Sequence, residues 1–430
     1  MNVIAWIKTA MIRFMDALNE LNDPFDLFDR PACPKESKKL RALEAEFYQD
    51  LTGNFWACDG CVLAHRFPLP AGSGLDTGDQ AIWHGVYTAM IALRCHLSSG
   101  GEQGQIYAHL VAAAKGMKLH QRAHGEPMLR LIRGVSNDLK TWQDDASNDS
   151  ATGHLLGFYF GWKFGPDTLR PVFADLAGGL AGELANHGHA LVRADGAPTT
   201  YGALEQGWKT DPLRISLALA VYAAAATMTG IPAFSQVYSD LFKRYGALAR
   251  YPKVRLWWFE NQNDTHRAAI HLAILADVTA GKACLGYRRG LERIRDSVDK
   301  LGNVWVNALC AWGIGSTRLN DRDQALKVLS EFTLKDKQFN DGRDNSMPGL
   351  LDAIRRAIPS FRPVLWNGKW MANQPLPRHM VRAQDFFWQR NLRSLDPGSD
   401  GAPADSRLNG GDYLAAYWLS RLTGILSAND

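Results

Sequence analysis

Six short polar steps hold most of the residues that could do chemistry, and each leads straight into an apolar, small-residue-rich run. They are DTGDQAIWHG (Asp76, Asp79, Gln80, Trp83, His84), QDDASNDSATGH (Asp149, His154), KTDPLR (Asp211), ENQNDTHR (Asn263, Asp264, His266), LGNVWV (Asn303) and RLNGGDYL (Asp412). Carboxylates that recur in this way suit general acid and base work. An inverting glycosidase holds two carboxyl groups roughly 6.5–9.5 Å apart, one protonated to assist the leaving group and one ionised to activate water. Asp79 and Asp149 are the expected catalytic pair. Asp149 is assigned as the acid, because neighbouring acids and the aromatics around Phe158 would favour its protonated form, and Asp79 as the base; the reverse assignment uses the same two residues.

Histidines open a second chemistry. A polysaccharide lyase takes the proton beside a uronate carboxylate with a base such as Tyr or His, helped by a neutralising Asn, Gln or Arg. His84 and His154 lie one turn into their runs, His266 starts a third, and Tyr201 sits in a separate turn-rich stretch. Asn263 with His266, or Tyr201 with His154, would supply that base and its partner. Substrate contacts are expected from Asp76, Gln80, Trp83, Tyr201, Trp208, Asn263, Asp264, His266, Trp388, Arg390 and Asp412. Sugar rings stack on aromatic faces, and Trp83, Tyr87, Trp208, Trp257, Trp258, Trp388 and Tyr417 lie at or just beyond the polar steps, although core filling accounts equally for any one of them. Trp388, in DFFWQR, brings Arg390, whose guanidinium fork matches a uronate carboxylate.

The elements that must position these residues are helices. Apolar residues recur at helical spacing along the chain, and strand-like alternation is rare. The six runs are apolar on all sides, which demands burial, and the helices between them (105–121, 166–187, 231–248, 283–300, the region 321–357, and 3–21 or 36–51 near the start) each carry one charged face that can cover a core. Six inner helices alternating with an outer ring make an all-α (α/α)6 toroid, in which all six polar steps gather at one end. The steps are unevenly spaced, which a closed ring tolerates and a solenoid does not. Two insertions stand out: a β-hairpin near 189–204, with a DG turn in LVRADGAPTTYGAL, and a long Pro- and Gly-rich loop near 360–410. One domain, 1–430, accommodates everything.

Caps compete with catalysis for the same residues. Asp, Asn and Ser are the preferred N-caps, each worth about 1 kcal/mol, and acids in a first turn favour the helix dipole. Asp211 before Pro212 reads as a cap. A cap uses one residue, however, and DDASNDS offers four candidates among its Asp and Asn residues alone.

The order DTGDQAIWHGVYTAM, DDASNDSATGHLLGFYF, LVRADGAPTTYGAL, NDTHRAAIHLAIL, DFFWQRNL and GGDYLAAYWLSRL resembles a group of bacterial (α/α)6-toroid proteins akin to glycoside hydrolases and polysaccharide lyases. The resemblance covers about residues 55–425. It implies the toroid and a carbohydrate substrate, and it leaves the reaction open, since one fold hosts several chemistries.

Bulk properties narrow the classes. The 430 residues carry 48 Lys and Arg against 44 Asp and Glu, a net charge of +4, with no basic block interleaved with aromatics, so no nucleic-acid partner is expected. No apolar run reaches membrane-spanning length, and Lys8 and Arg13 interrupt the N-terminal one, so neither a membrane partner nor a secretory signal is expected; the chain reads as soluble, acting in the cytoplasm or after release by lysis. No nucleotide, serine-nucleophile or zinc-protease motif is present. Cys58, Cys61 and His65, with Cys33 upstream, have partial zinc spacing but lack a second close pair, so ordinary thiols are expected, with no metal and no cofactor. The expected partner is an acidic poly- or oligosaccharide. Taken together, the sequence reads as a carbohydrate-active enzyme, foremost a glycoside hydrolase, with a uronate-directed lyase and a non-catalytic glycan-binding or envelope-associated protein as alternatives.

Overall fold

The computed structural model describes residues 37–67, 69, 79–121, 130–205, 211–249, 262–299, 301–334, 351–352, 354–356, 363–366, 369–372, 376, 386–389 and 407–430. Among them are twelve α-helices: α1 (Ser37–Asn54), α2 (Gln80–Leu97), α3 (Gln103–Gln121), α4 (Asn148–Phe164), α5 (Arg170–Asn186), α6 (Pro212–Thr229), α7 (Pro232–Ala249), α8 (Asn263–Val278), α9 (Gly281–Asp299), α10 (Val304–Ile314), α11 (Asp321–Ser330) and α12 (Gly411–Leu422). The even-numbered helices form the inner ring. Each packs on the next, and α12 closes back on α2. The odd-numbered helices lie outside: α3 on α2, α5 on α4 and α6, α7 on α6, α9 on α8 and α10, α11 on α10, and α1 on α12. This is the expected (α/α)6 toroid. The region 3–21 lies outside the described residues.

Composition explains which helices go inside. Helix α6 reads PLRISLALAVYAAAATMT and is buried on every side; Asp211 caps it by accepting the Leu213 N–H at 3.0 Å, Pro212 opens it, and Gly230, at φ 71°, ends it. By length and apolarity it could cross a membrane, but 78% of it is buried inside the protein, in the position of a core helix. Helix α9 shows the outer pattern. It buries Tyr287, Leu291, Ile294 and Val298, three or four residues apart, and leaves Arg288, Arg289 and Glu292 exposed.

Side-chain pairs along the ring prove the inner helices parallel. Down α4 and α8 run Asp149 with Arg267, Thr152 with His271, and Tyr159 with Asp277. His266 meets Trp305 near the start of α8 and α10, and Ala273 meets Gly313 further down. The polar starts therefore share one end. The other end is filled by Tyr159, Phe160, Trp162, Phe164 and Trp312, with ring centroids 4.7–6.3 Å apart.

Helices α2 and α4 approach most closely, through glycines. A Cβ on Gly153 would lie 2.2 Å from the Ile82 carbonyl oxygen, one on Gly85 would lie 2.1 Å from that of Gly153, and one on Gly157 would lie 2.7 Å from that of Gly85. In an uncrowded helix, Gly→Ala stabilises by up to about 1 kcal/mol. Here the sign reverses: Gly153→Ala is expected to cost about 3 kcal/mol or more, the upper range of overpacking, because backbone is what it strikes. Urea unfolding checks this, and an unchanged midpoint would refute the close crossing.

A buried ion pair ties the seam where the ring closes. Arg94 of α2 donates to Glu44 of α1 at 2.8 Å, Trp418 Nε1 of α12 donates to the same carboxylate at 3.0 Å, and the guanidinium stacks over Tyr48, 3.6 Å from the ring centre. Burial pushes the Glu44 carboxyl up, against the pull of Arg94.

The expected hairpin is present, as β6 (Ala190–Val192) antiparallel to β7 (Pro198–Ala203). Four smaller two-stranded sheets edge the ring: β1 (Trp56–Ala57) with β2 (Val62–Leu63), β3 (Arg66–Phe67) with β10 (Arg407–Leu408), β4 (Gly134–Val135) with β5 (Trp142–Gln143), and β8 (Pro363–Trp366) with β9 (Lys369–Ala372). The CDGC stretch makes the turn of β1 and β2, with Cys58, Asp59 and Gly60 all at positive φ. Within the Pro- and Gly-rich region, the described parts are β8, β9 and a short 3₁₀ turn, Phe387–Gln389, which reaches into the ring.

Candidate active site

The acid-rich step before α4 resolves into separate jobs. Asp144 accepts the Ala194 N–H and Asp145 the Thr200 N–H, both at 2.7 Å, which pins the β6–β7 hairpin against this end of the ring. Ser147 is the N-cap, in a reciprocal box with Ser150. Glu183 of α5 completes the clamp by accepting the Leu131 and Val192 N–H groups, and burial pushes its carboxyl up to about 8. Asp149 is left over. It is not a cap; it forms a salt bridge with Arg267 of α8, which also holds Asp264 at 2.5 Å.

Asp79 is likewise no cap. It makes no capping hydrogen bond and pairs with Arg133 at 2.8 Å. Its side chain is 39% exposed and that of Asp149 40% exposed, so both carboxylates are open to solvent. Asp79 precedes α2 by one residue, and Asp149 lies in the first turn of α4. Ile82 and Gly153, the residues at the helix crossing, are three and four positions further on, about one helical turn in each case. Both carboxylates thus stand over the closest crossing in the ring. Burial brings Arg267 down to about 10, still charged at neutral pH.

The remaining expected residues divide. Gln80 is buried and locked to the β4 strand, accepting the Val135 N–H at 2.8 Å and donating to the Val135 carbonyl at 3.2 Å. His84 is buried with both ring nitrogens engaged: it accepts the Leu63 N–H at 3.0 Å and donates to the Ala113 carbonyl at 2.8 Å. The expectation of a catalytic His84 is corrected, because neither nitrogen is free to meet a substrate. His154 is also fully buried. Its Nε2–H donates to His120 Nδ1 at 3.4 Å, since His120 Nε2 gives its own proton to Gln80 Oε1 at 2.9 Å. Burial holds His84 at about 4 and His154 at about 3, so both stay neutral.

Neither pair expected for a lyase is joined. Tyr201 is 58% exposed on β7, and no hydrogen bond connects it to the buried His154. Asn263 is exposed, whereas His266 is fully buried and accepts the Trp305 Nε1–H at 2.7 Å. Trp388 and Asp412 are corrected from substrate contacts to anchors. Both are buried; Trp388 Nε1 donates to the Asp412 carbonyl at 2.6 Å, and the Asp412 carboxylate accepts the Tyr413 and Phe387 N–H groups. Trp83 is buried beneath Phe386. Asp264 is mostly buried against Arg267, while Asn303 and Asp211 are true N-caps. Asp76, Trp208 and Arg390 lie outside the described residues, as do Trp257, Trp258 and Cys33. Cys58 donates to backbone carbonyls and His65 Nδ1 pairs with Tyr87; among the described residues, no group of three or more His, Cys, Asp or Glu is arranged to hold a metal ion.

Sequence reasoning missed the two arginines that give the mouth its charge pattern. Arg267 was within reach, as the residue three after Asp264, a spacing that brings opposite charges together on a helix. Arg133 lies 54 residues from Asp79, and no local pattern connects them. His120 and His271, inside the ring, were also passed over. His271 bridges Thr152 of α4 and Ser216 of α6 at 2.8 and 3.0 Å.

No protein-family model matches the chain, and no curated protein does. Among solved structures, the chain is similar to a glycoside hydrolase family 76 mannosidase from Bacteroides thetaiotaomicron, at 11% identity and a TM-score of 0.45, with 90% of this chain and 97% of that one covered. It is also similar to a cellobiose 2-epimerase from Spirochaeta thermophila, at 11% identity and a TM-score of 0.37, over 65% of this chain and 80% of that one.

Proposed function

We propose that the protein is a carbohydrate-active enzyme that hydrolyses a glycosidic bond of an acidic poly- or oligosaccharide, with Asp79 and Asp149 as its catalytic carboxylates. The observation that carries this reading is their position: both are solvent-accessible, neither caps its helix, and both stand one turn above the glycine crossing of α2 and α4. Helices this close support a carboxyl separation in the roughly 6.5–9.5 Å range of an inverting hydrolase.

Arg133 pairs with Asp79, whereas Arg267 is shared by Asp149 and Asp264, so Asp149 has a second carboxylate beside it, the kind of neighbour expected of the acid. Water activated by Asp79 would attack the anomeric carbon while Asp149 protonates the departing oxygen.

The test is incubation with a panel of acidic bacterial and plant polysaccharides and their oligosaccharides, following reducing ends and unsaturated-uronide absorbance in parallel. New reducing ends without absorbance are expected. A matched rise in both would replace hydrolysis with elimination, and glycan binding without either signal would make the protein a non-catalytic binder.

A further inference from the structure

The β6–β7 hairpin holds one aromatic ring out into solvent, and its backbone is shaped to do so. Its pairing is uneven: Ala190 faces Ala203 and Val192 faces Pro198, so a single residue of β6, Leu191, is set against residues 199–202 of β7. Extra residues in one strand bend it and re-aim its side chains. Two positions fix the bend here. Thr199 turns inward, at 3% exposure, and its hydroxyl donates to the Ala146 carbonyl at 2.6 Å. Gly202 is pressed in beside it, where a Cβ would lie 2.1 Å from Thr199 Oγ1 and 2.6 Å from Leu191 Cβ. With 199 and 202 inside, Thr200 and Tyr201 are both left exposed.

Tyr201 does nothing for the fold. At 58% exposure it is the most exposed aromatic residue among the described residues, and it makes no hydrogen bond and no ring contact with any of them. The backbone that carries it is nonetheless fastened at several points. Thr200 N–H is held by Asp145, Ala194 N–H by Asp144 and Val192 N–H by Glu183. Asp145 lies four residues before Asp149, so the bulged strand abuts the start of α4, at the end of the ring where Asp79 and Asp149 meet solvent.

We infer that Tyr201 is a stacking platform at the rim of the mouth, on which one sugar unit of a polysaccharide rests outside the carboxylate pair. The inference rests on the carbohydrate reading above and deepens it, by placing a subsite on the hairpin. A pyranose has a face of C–H groups, and a tyrosine ring offers a matching apolar face while its hydroxyl stays in water. Because the strand is already fixed, little ordering cost is left for the moment of binding. A protein partner fits this surface poorly. Stable protein interfaces bury about 800 Å² on each side around an apolar centre, whereas Tyr201 is the only large apolar side chain exposed on the hairpin.

The test is native affinity electrophoresis of the whole chain in gels containing polygalacturonate, alginate or hyaluronan, with wild type beside Tyr201→Ala, Tyr201→Phe and Tyr201→Trp. Wild type is expected to be retarded by at least one polymer. Tyr201→Ala is expected to bind that polymer about tenfold more weakly, the upper range for one aromatic contact. The phenylalanine and tryptophan variants keep a ring face and are expected to retain the binding. All four proteins carry the same charge, so attraction to a polyanion cancels in the comparison, and an exposed position lets each variant fold. Equal retardation of wild type and Tyr201→Ala overturns the inference, as does retardation of wild type by none of the polymers. A loss in Tyr201→Phe as large as in Tyr201→Ala also overturns it, since the hydroxyl and not the face would then be at work. The hydrolase reading is judged separately by reducing ends. Cleavage by wild type with an unchanged KM in Tyr201→Ala keeps the hydrolase and removes the platform, whereas weaker binding by Tyr201→Ala without cleavage by wild type keeps the platform and removes the hydrolase.

Discussion

Lowering the pH from 7 toward about 4 is expected to unfold this protein, because five histidines sit inside the ring in their neutral form. His84 is held at about 4, His154 and His266 at about 3, and His120 and His271 well below the ordinary 6.5, in every case chiefly by burial. A histidine whose folded value is depressed leaves stability intact above 6.5 and erodes it as pH falls toward the folded value, since only the unfolded chain takes up the proton. Glu183 and Glu44 act with the opposite sign. Their folded values are raised from 4.5, that of Glu183 to about 8, so their contribution is fullest below 4.5 and is lost as pH rises. Five protons gained by the unfolded chain less the one held by folded Glu183 leave a net of about four near pH 5.5. At about 1.4 kcal/mol per proton and pH unit, stability falls by about 5–6 kcal/mol per unit. Against a total of about 5–15 kcal/mol, that exhausts the protein within one to three units below pH 6.5. Urea midpoints at pH 7.5, 6.5 and 5.5 measure this directly, and a flat series would show that these histidines are not buried as described.

Asp79→Asn and Asp149→Asn are each expected to lower turnover by about 10²–10⁴-fold, the usual weight of a positioned acid or base, once a polysaccharide is identified. Stability should barely change. Removing the charge at Asp149 leaves Arg267 paired with Asp264, and Arg133, freed from Asp79, is partly exposed and can be hydrated. A partly exposed pair such as that of Asp79 with Arg133 contributes about 0–1 kcal/mol. Asp412→Asn provides the contrast. Its carboxylate is buried and accepts two backbone N–H groups, so its loss is expected to cost about 1–3 kcal/mol of stability and to affect turnover only through the docked 386–389 turn. Turnover at wild-type levels in both the Asp79 and Asp149 variants would dismiss the carboxylate pair.

The two predictions draw on different layers of the molecule. The neutral histidines lie buried within the ring, where burial disfavours their charged form. The carboxylates lie at its open end and keep solvent contact. Gln80 connects the layers, gripping the β4 strand beside the mouth and accepting a hydrogen bond from His120 Nε2–H below it.

Helix order, the sorting of helices into inner and outer, the β6–β7 hairpin and the gathering of polar steps at one end were all legible in the sequence. These are local or periodic properties: a helix apolar on every side has to be buried, and one with a single charged face has to cover it. Which polar residue caps and which stays free was not legible. Asp211, Asn303 and Ser147 cap, whereas Asp79 and Asp149 do not, and Asp79 and Asp211 share both residue type and position before a helix. Partners decide it, and Arg133 reaches Asp79 only because the loop after α3 folds back beside α2. Tertiary packing likewise turned Trp388 and Asp412 from contacts into anchors, satisfied both nitrogens of His84, and set Phe386 against Trp83 and His266. The sequence by itself determined the ring, because burial follows from composition; only the tertiary structure decided the mouth, because hydrogen bonds and ion pairs form between groups that sequence distance does not relate.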